Sequence, residues 1–439
     1  MKTFIRGAAL AAAVLAALAA LPARAAPAHE IVAYYAGWKS ADFPVAATLD
    51  PAQVSVVLYA FLDTCRGGVH GNPHPSAGVM APCRNADGSA RVPPDGALVL
   101  NDVERDAANL RALAALKRRK PALRILASVG GWNWSNQFSN IAASAVERAT
   151  FAASAVALMR RYGLDGLDID WEYPTAAGVP CTAGHVCERP GDKQNYVLLA
   201  GILRRAFDDA GRADGKHYAI TIASGATDQF IGDPQGDSAW LVQLADKLDW
   251  INLMAYDYHM PWEPRNGNHA GLYGDPADPG QAKGYDDAAA VRRYLDAGVA
   301  PDKLVLGMPF YGYGWKGCAA GPDGGGLYQA CAGAAAGGLD GSASYPFSWL
   351  VRQGYLQAGP DGRYDQAGRG YRRRWNALAK APSLYDPAAG IFISYEDEAS
   401  LREKARYLKA AGLRGAMFWE LSGDSGHILG RVLATELAP

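Results

Sequence analysis

The sequence predicts an α/β protein built as a (β/α)8 TIM barrel, with a small α+β insertion between the seventh and eighth strands. Three observations predict it. Short apolar segments alternate with longer helix-patterned ones about eight times along the chain. Several strand-like segments are nearly apolar throughout, as parallel strands covered on both faces are. One of them, over residues 164–174, runs out into acid at its carboxyl end, which is where this architecture gathers its reactive groups.

Taken in order, residues 30–35 read as the first strand, and a poorly periodic stretch follows where the first helix belongs. Residues 54–61 form the second strand, and a long loop from Leu62 to about Leu100 carries Cys65 and Cys83. Asn101 is positioned to cap the next helix, whose apolar residues Val103, Ala107, Leu110, Leu113, Ala114 and Leu116 keep helical spacing up to Lys120-Pro121. Further strands are expected over 123–129, 164–170, 218–223, 250–256, 304–311 and 416–419. Helices are expected between them at 143–162, 193–210, 238–247, 286–296 and 398–411, with a last one at 427–435. Between Tyr311 and Glu398 lies a connection too long to be structureless, so an α+β insertion is expected over 314–389, walling one side of a cleft. The barrel then comprises residues 26–313 and 390–439, and no linker or appended module is expected after the last helix.

The amino terminus has Lys2 and Arg6, an apolar run over 8–21, and Ala23-Arg24-Ala25, the pattern of an export signal; residues 1–25 are therefore set apart from the fold. No later run is long and apolar enough to span a membrane, so the mature chain is expected to be soluble, secreted or periplasmic, and a monomer. A formal net charge of -1 gives no reason to expect nucleic acid or an anionic membrane as partner. Six cysteines fall into local pairs, Cys65 with Cys83, Cys181 with Cys187 and Cys318 with Cys331; nearest-neighbour pairing would staple three loops. No C-x2-C pair occurs, and Pro73 separates His70 from His74, so no metal and no cofactor are expected. The glycines of 321–326 precede no clear helix start and do not read as a phosphate loop.

On a strand, Asp168, Asp170 and Glu172 share one face while Leu167, Ile169 and Trp171 take the other. Residues two apart lie about 6.6 Å from each other, and at an effective dielectric of about 20 their charges repel by about 2.5 kcal/mol. At least one of the carboxyls therefore holds its proton near neutral pH. Asp165 has the opposite parity and reads as a scaffold group bonding backbone near the strand start. Other strand ends offer Tyr34, Ser128 with Gly130-Gly131-Trp132, Met254-Ala255-Tyr256-Asp257, and Met417-Phe418-Trp419-Glu420. Phenol, indole and carboxylate around one barrel mouth compose a sugar-binding pocket.

These segments resemble the family 18 glycoside hydrolases, as a bacterial-type secreted chitinase. Residues 165–174 match the family's DxxDxDxE signature, Ser128-Val129-Gly130-Gly131 its SxGG element, and Met254-Ala255-Tyr256-Asp257 and Phe418-Trp419-Glu420 its later strand-end motifs. The resemblance runs from about Ile31 to His427. It implies a chitinase acting on chitin or chitooligosaccharides with retention, through attack by the substrate's own 2-acetamido oxygen. Glu172 is then the general acid, Asp170 the holder of the acetamido N–H, and Asp168 a buried proton-sharing partner flanked by Tyr34 and Ser128. Tyr256 donates to the acetamido carbonyl, Asp257 contacts the sugar, and Trp419 floors the cleaved residue's subsite. Trp132 and Trp262 stack leaving-side sugars, and Gly131, Tyr173, Met254 and Tyr311 complete the substrate-contacting set. A near-neutral Glu172 is expected from repulsion by Asp170. One departure is Tyr313, where the family pattern PFYGR carries arginine. Rival readings are an endo-β-N-acetylglucosaminidase acting on N-glycans and a chitin-binding lectin; Glu172 counts against the lectin, and the indoles Trp132, Trp262, Trp315 and Trp419 favour a linear polymer.

Overall fold

The computed structural model describes residues 29–70, 82–85, 91–181, 185–233 and 235–438. The proposed export signal over 1–25 and His74 lie outside them. Eight parallel strands close a barrel: β1 (Glu30–Ala36), β2 (Val56–Arg66), β3 (Arg124–Gly130), β4 (Gly166–Asp170), β5 (Ala219–Gly225), β6 (Trp250–Met254), β7 (Leu304–Pro309) and β8 (Gly415–Trp419). Sequential strands pair from β2 to β8, and β1 closes the ring by pairing both β2 and β8.

Side-chain alternation divides the core in two. Val32, Tyr34, Val56, Leu58, Leu126, Trp250, Val305 and Met417 fill the barrel interior. The other parity packs outward against the helices, and Leu167, Ile169 and Trp171 belong to that outer layer. The acid-bearing face of β4 thus points into the barrel, as strand parity requires.

The helices have caps that explain their ends. Helix Val103–Arg119 starts one residue later than Asn101 suggests, because Asp102 is the cap and accepts from the Arg105 amide at 3.0 Å. The helix expected over 143–162 runs from Ala145 to Tyr162, because the Ser144 hydroxyl caps the Glu147 amide, and a short helix that the sequence did not mark, Phe138–Ala143, precedes it. Asp192–Asp214 runs past the expected end at Ala210: Gly211 sits inside the helix, and the stop is Gly215, at φ 68°. After β1 come a 3-10 turn, Gly37–Lys39, and a short helical turn, Val45–Thr48, in place of a full helix.

Between β7 and β8 a second, antiparallel sheet rises from strands Tyr311–Lys316, Gly333–Ala334, Ser344–Pro346, Arg372–Asn376, Ala381–Asp386 and Ile391–Ser394. It takes in residues on both sides of 314–389. Trp315, expected among the cleft indoles, is fully buried inside this sheet against Cys318, Tyr385 and Phe392, because its strand position points away from the barrel mouth.

Three disulfides join Cys65 to Cys83, Cys181 to Cys187 and Cys318 to Cys331, with Cα separations of 5.9, 5.8 and 4.2 Å. Among the described residues no helix is long and apolar enough to cross a membrane.

Candidate active site

The register of the barrel builds the floor of the site. Ser128 of β3 and Thr221 of β5 stand level with Asp168 of β4, so all three side chains project inward at one height. Ser128 donates to Asp168 Oδ2 at 2.7 Å and Tyr34, from β1, donates to the same oxygen at 2.9 Å. Thr221 donates to Oδ1 at 2.5 Å, and the Asn252 amide of β6 reaches that oxygen at 3.2 Å. Four donors from four strands converge on one buried carboxyl. Burial pushes its pKa up, and these hydrogen bonds oppose the rise. Thr221 and Asn252 belong to this cluster although the motifs do not point to them. Their signal in the sequence is a polar side chain of inward parity inside an otherwise apolar strand.

Asp170 stands one step higher and is almost as buried, yet among the described residues its Oδ1 has no hydrogen-bond partner. An unpaired buried acceptor costs about 1–3 kcal/mol. Burial first, then the charges of Glu172 and Asp168, drives its pKa well above the ordinary carboxylate range. Two glycines keep the space beside it. A Cβ on Gly130 would lie 2.3 Å from the Asp170 carbonyl oxygen, and one on Gly131 would strike the Phe61 ring at 2.4 Å. The Gly131 amide donates to that same carbonyl at 2.8 Å, which explains why the turn after Ser128 needs both glycines.

Strand β4 ends at Asp170, so Glu172 owes its place to the following turn as well as to strand parity. The Ser135 hydroxyl accepts from the Glu172 amide and donates to the carbonyls of Asp170 and Gly131, tying that turn to the end of β3. Glu172 is partly exposed, and its carboxyl is pushed up to about 7. Burial is the first cause; the adjacent Tyr173 hydroxyl opposes it, and the charge of Asp257 adds to it. The repulsion expected from Asp170 is felt on the Asp170 side of the pair, and Asp257 is the like charge acting on Glu172.

Aromatic groups surround the acids. Trp419, at the end of β8, lies 5.3 Å from the Tyr34 ring and stacks on Phe61 at 5.7 Å. Trp38, 47% exposed and unmarked by any motif, stacks on Phe61 at 5.9 Å. Tyr256 sits over Gly307 of β7, where a Cβ would come within 3.0 Å of its ring, and meets Tyr311 edge-on at 6.4 Å. Met254, at the end of β6, packs on the barrel-interior cluster beside Tyr256. Tyr311 donates to Asp257 Oδ1 at 2.6 Å. Tyr173 packs on Phe230 at 4.3 Å. Tyr313 brings a phenol towards Asp257 in place of the arginine of the family pattern, and burial and that carboxylate both raise its pKa. Trp132 is 51% exposed with Gly178 tucked against its ring, just before the loop closed by Cys181–Cys187. Trp262 is 74% exposed.

Asp165 takes no part in this cluster. Its Oδ2 accepts from the Ile125 amide at 2.8 Å and its Oδ1 pairs with Lys117, at the opposite end of β4.

Carboxyls lined up inside a barrel mouth walled by indoles and phenols put the protein in the class of TIM barrels with an acidic, aromatic-walled cleft. The family profile of the glycosyl hydrolases family 18 matches residues 30–424, and the chain belongs to that family. Chitinase A1 of Niallia circulans is 40% identical over 96% of this chain, which spans 60% of that protein's length. Chitinase ChiA74 from Bacillus thuringiensis superposes with a TM-score of 0.80 at 36% identity, over 93% of this chain and 70% of that one. A family 18 N-acetylglucosaminidase from Paenibacillus barengoltzii superposes at 0.71 with 30% identity, over 93% and 99%.

Proposed function

We propose that this enzyme is a chitinase, hydrolysing β-1,4 linkages between N-acetylglucosamine residues in chitin or chitooligosaccharides. The observation that carries the reading is the unpartnered Oδ1 of buried Asp170, next to a Glu172 carboxyl whose pKa is near neutral. An acetamido N–H of the substrate is a donor of the kind that oxygen lacks. Held there, the acetamide turns its own oxygen towards the anomeric carbon.

In the first step the Glu172 proton passes to the glycosidic oxygen and the C–O bond breaks. The acetamido oxygen forms the new bond to C1, giving an oxazolinium ion whose positive charge faces Asp170. In the second step Glu172, now a carboxylate, takes a proton from water; the water oxygen bonds to C1, the oxazolinium opens, and Glu172 is protonated again. Two displacements at C1 leave its configuration retained. Tyr256 is placed to donate to the acetamido oxygen, and Trp419 to lie under the pyranose ring. Asp168, with its four donors, anchors the floor from which Asp170 projects, and Asp257 adjusts the proton affinity of Glu172. Trp132 and Trp262 offer exposed indole faces to sugars on the leaving side, while Gly131, Tyr173, Met254 and Tyr311 shape the pocket. The division into a barrel (26–313 and 390–439) and a cleft-walling insertion (314–389) is part of the same proposal. So is export, which the three disulfides support.

A second reading is release of single N-acetylglucosamine units, and the Paenibacillus barengoltzii neighbour favours weighing it. Incubation with colloidal chitin, chitooligosaccharides and a high-mannose glycoprotein, with products resolved over time, tests all of these. Chitinase activity yields soluble oligosaccharides from chitin. Glycan release alone would replace the proposal with the N-glycan reading, and failure on every substrate would overturn the enzyme reading.

A further inference from the structure

His269, in the loop after β6, is fully buried, and among the described residues neither ring nitrogen has a hydrogen-bond partner. Two orphaned polar atoms cost about 1–3 kcal/mol each, so packing alone would be better served by a phenyl ring. The surroundings of the ring are specific. Nδ1 lies 3.9 Å from Asp257 Oδ1, the oxygen that Tyr311 also engages. The rings of Tyr311 and Tyr313 lie 5.5 Å away, both from the strand Tyr311–Lys316. Glu396 faces the imidazole as well, and is itself paired with Lys404, which reaches Asp287 at 3.0 Å. The backbone around the histidine is fixed: its amide donates to Ser394 Oγ at 3.0 Å, and its carbonyl accepts from the Tyr258 amide at 3.0 Å. Asp257 is partly exposed and has φ 60°. A separation just beyond hydrogen-bond reach between a fixed donor and an exposed carboxylate is the kind that tightens when a ligand binds.

We propose that His269 is a positioning residue of this site, donating Nδ1–H to Asp257 and holding that carboxylate against Tyr311 at the edge of the pocket. The inference rests on the chitinase reading and deepens it. It gives the second sheet a part in catalysis, because Ser394 and Tyr311 of that sheet fix both the histidine and its partner. Since the charge of Asp257 holds the proton on Glu172, a donor that offsets this charge eases the proton's release.

The test has two readouts. Nitrogen-15 NMR of the folded protein, with His269 assigned by the loss of its signals in His269→Asn, reports the protonation of Nδ1 without any turnover. Asp257→Asn is expected to change the His269 ring shifts between about pH 5 and 8, and identical shifts with and without the carboxylate would overturn the proposal. In kcat/KM profiles on a chitooligosaccharide, His269→Phe is expected to move the upper limb to higher pH by about 0.3 unit or more, a two-fold change in proton affinity. His269→Asn, whose side-chain N–H can take the place of Nδ1–H, should restore the wild-type limb. An unmoved limb in the phenylalanine variant would overturn the assignment. Absence of turnover in the wild type would count against the chitinase reading, while the nitrogen shifts would still judge the histidine.

Discussion

Replacing Glu172 with glutamine should abolish turnover and make the protein more stable at neutral and alkaline pH. The carboxyl has an ordinary value of 4.5 and is raised to about 7 in the fold, first by burial. Between these values the folded state binds the proton more tightly than the unfolded chain. The stability this confers is complete below about 4.5 and is lost as pH rises through about 7. The gap corresponds to about 3.4 kcal/mol as a ceiling, at about 1.36 kcal/mol per unit. Water reaching the partly exposed side chain reduces this to about 1.5 kcal/mol. At about 2.1 cal/mol/K per residue, a chain of this length converts that to about 2 °C. Glu172→Gln removes the titration and keeps the shape, so Tm of the variant minus Tm of the wild type should grow from about pH 4.5 to 7 and then level. Differential scanning calorimetry over that range measures it. A Tm difference constant with pH would refute the reasoning that burial, opposed by Tyr173 and assisted by Asp257, sets this proton.

Other outcomes follow from the same geometry. Thr221→Val keeps the shape and deletes a donor to buried Asp168, so urea unfolding should show a loss of about 2 kcal/mol. Asp257→Asn removes the like charge that raises Glu172, and the upper limb of the kcat/KM profile should move to lower pH by about half a unit. Trp132→Ala should raise KM for long chitooligosaccharides about tenfold, the worth of about 1.4 kcal/mol of stacking, with kcat on a short chromogenic substrate unchanged.

The barrel was legible in the chain because parallel strands covered on both faces leave long apolar runs, and β4 announced its two faces through strict alternation over Leu167, Asp168, Ile169 and Asp170. Strand ends with mixed chemistry, such as Ser128 to Trp132 and Met254 to Asp257, were equally readable. What alternation could not convey was register. Thr221 and Asn252 meet Asp168 only because β5 lies at a particular height beside β4, and β6 beside β5, and those heights are set by the closure of the ring. Trp38 and Phe61 escaped notice because an aromatic side chain near an apolar strand reads as core. Trp315 was misjudged in the other direction, since composition marks an indole without saying which face of its strand it occupies. The source of the Glu172 shift was also hidden: burial comes first, and the like charge that adds to it is Asp257, brought by the loop after β6, where sequence spacing put Asp170 nearest. His269 lies in that loop among glycine and asparagine, with no periodic pattern to mark it.

In the proposed mechanism the substrate's acetamide, seated on Asp170, attacks its own anomeric carbon while Glu172 moves the proton. Proton NMR of the first products released from chitohexaose, recorded before mutarotation, tests it most directly. Newly formed reducing ends should appear in the β configuration, with no cleavage when the sugar contributing the acetamide is deacetylated. Products appearing first as the α anomer, or equal cleavage of the deacetylated substrate, would contradict it.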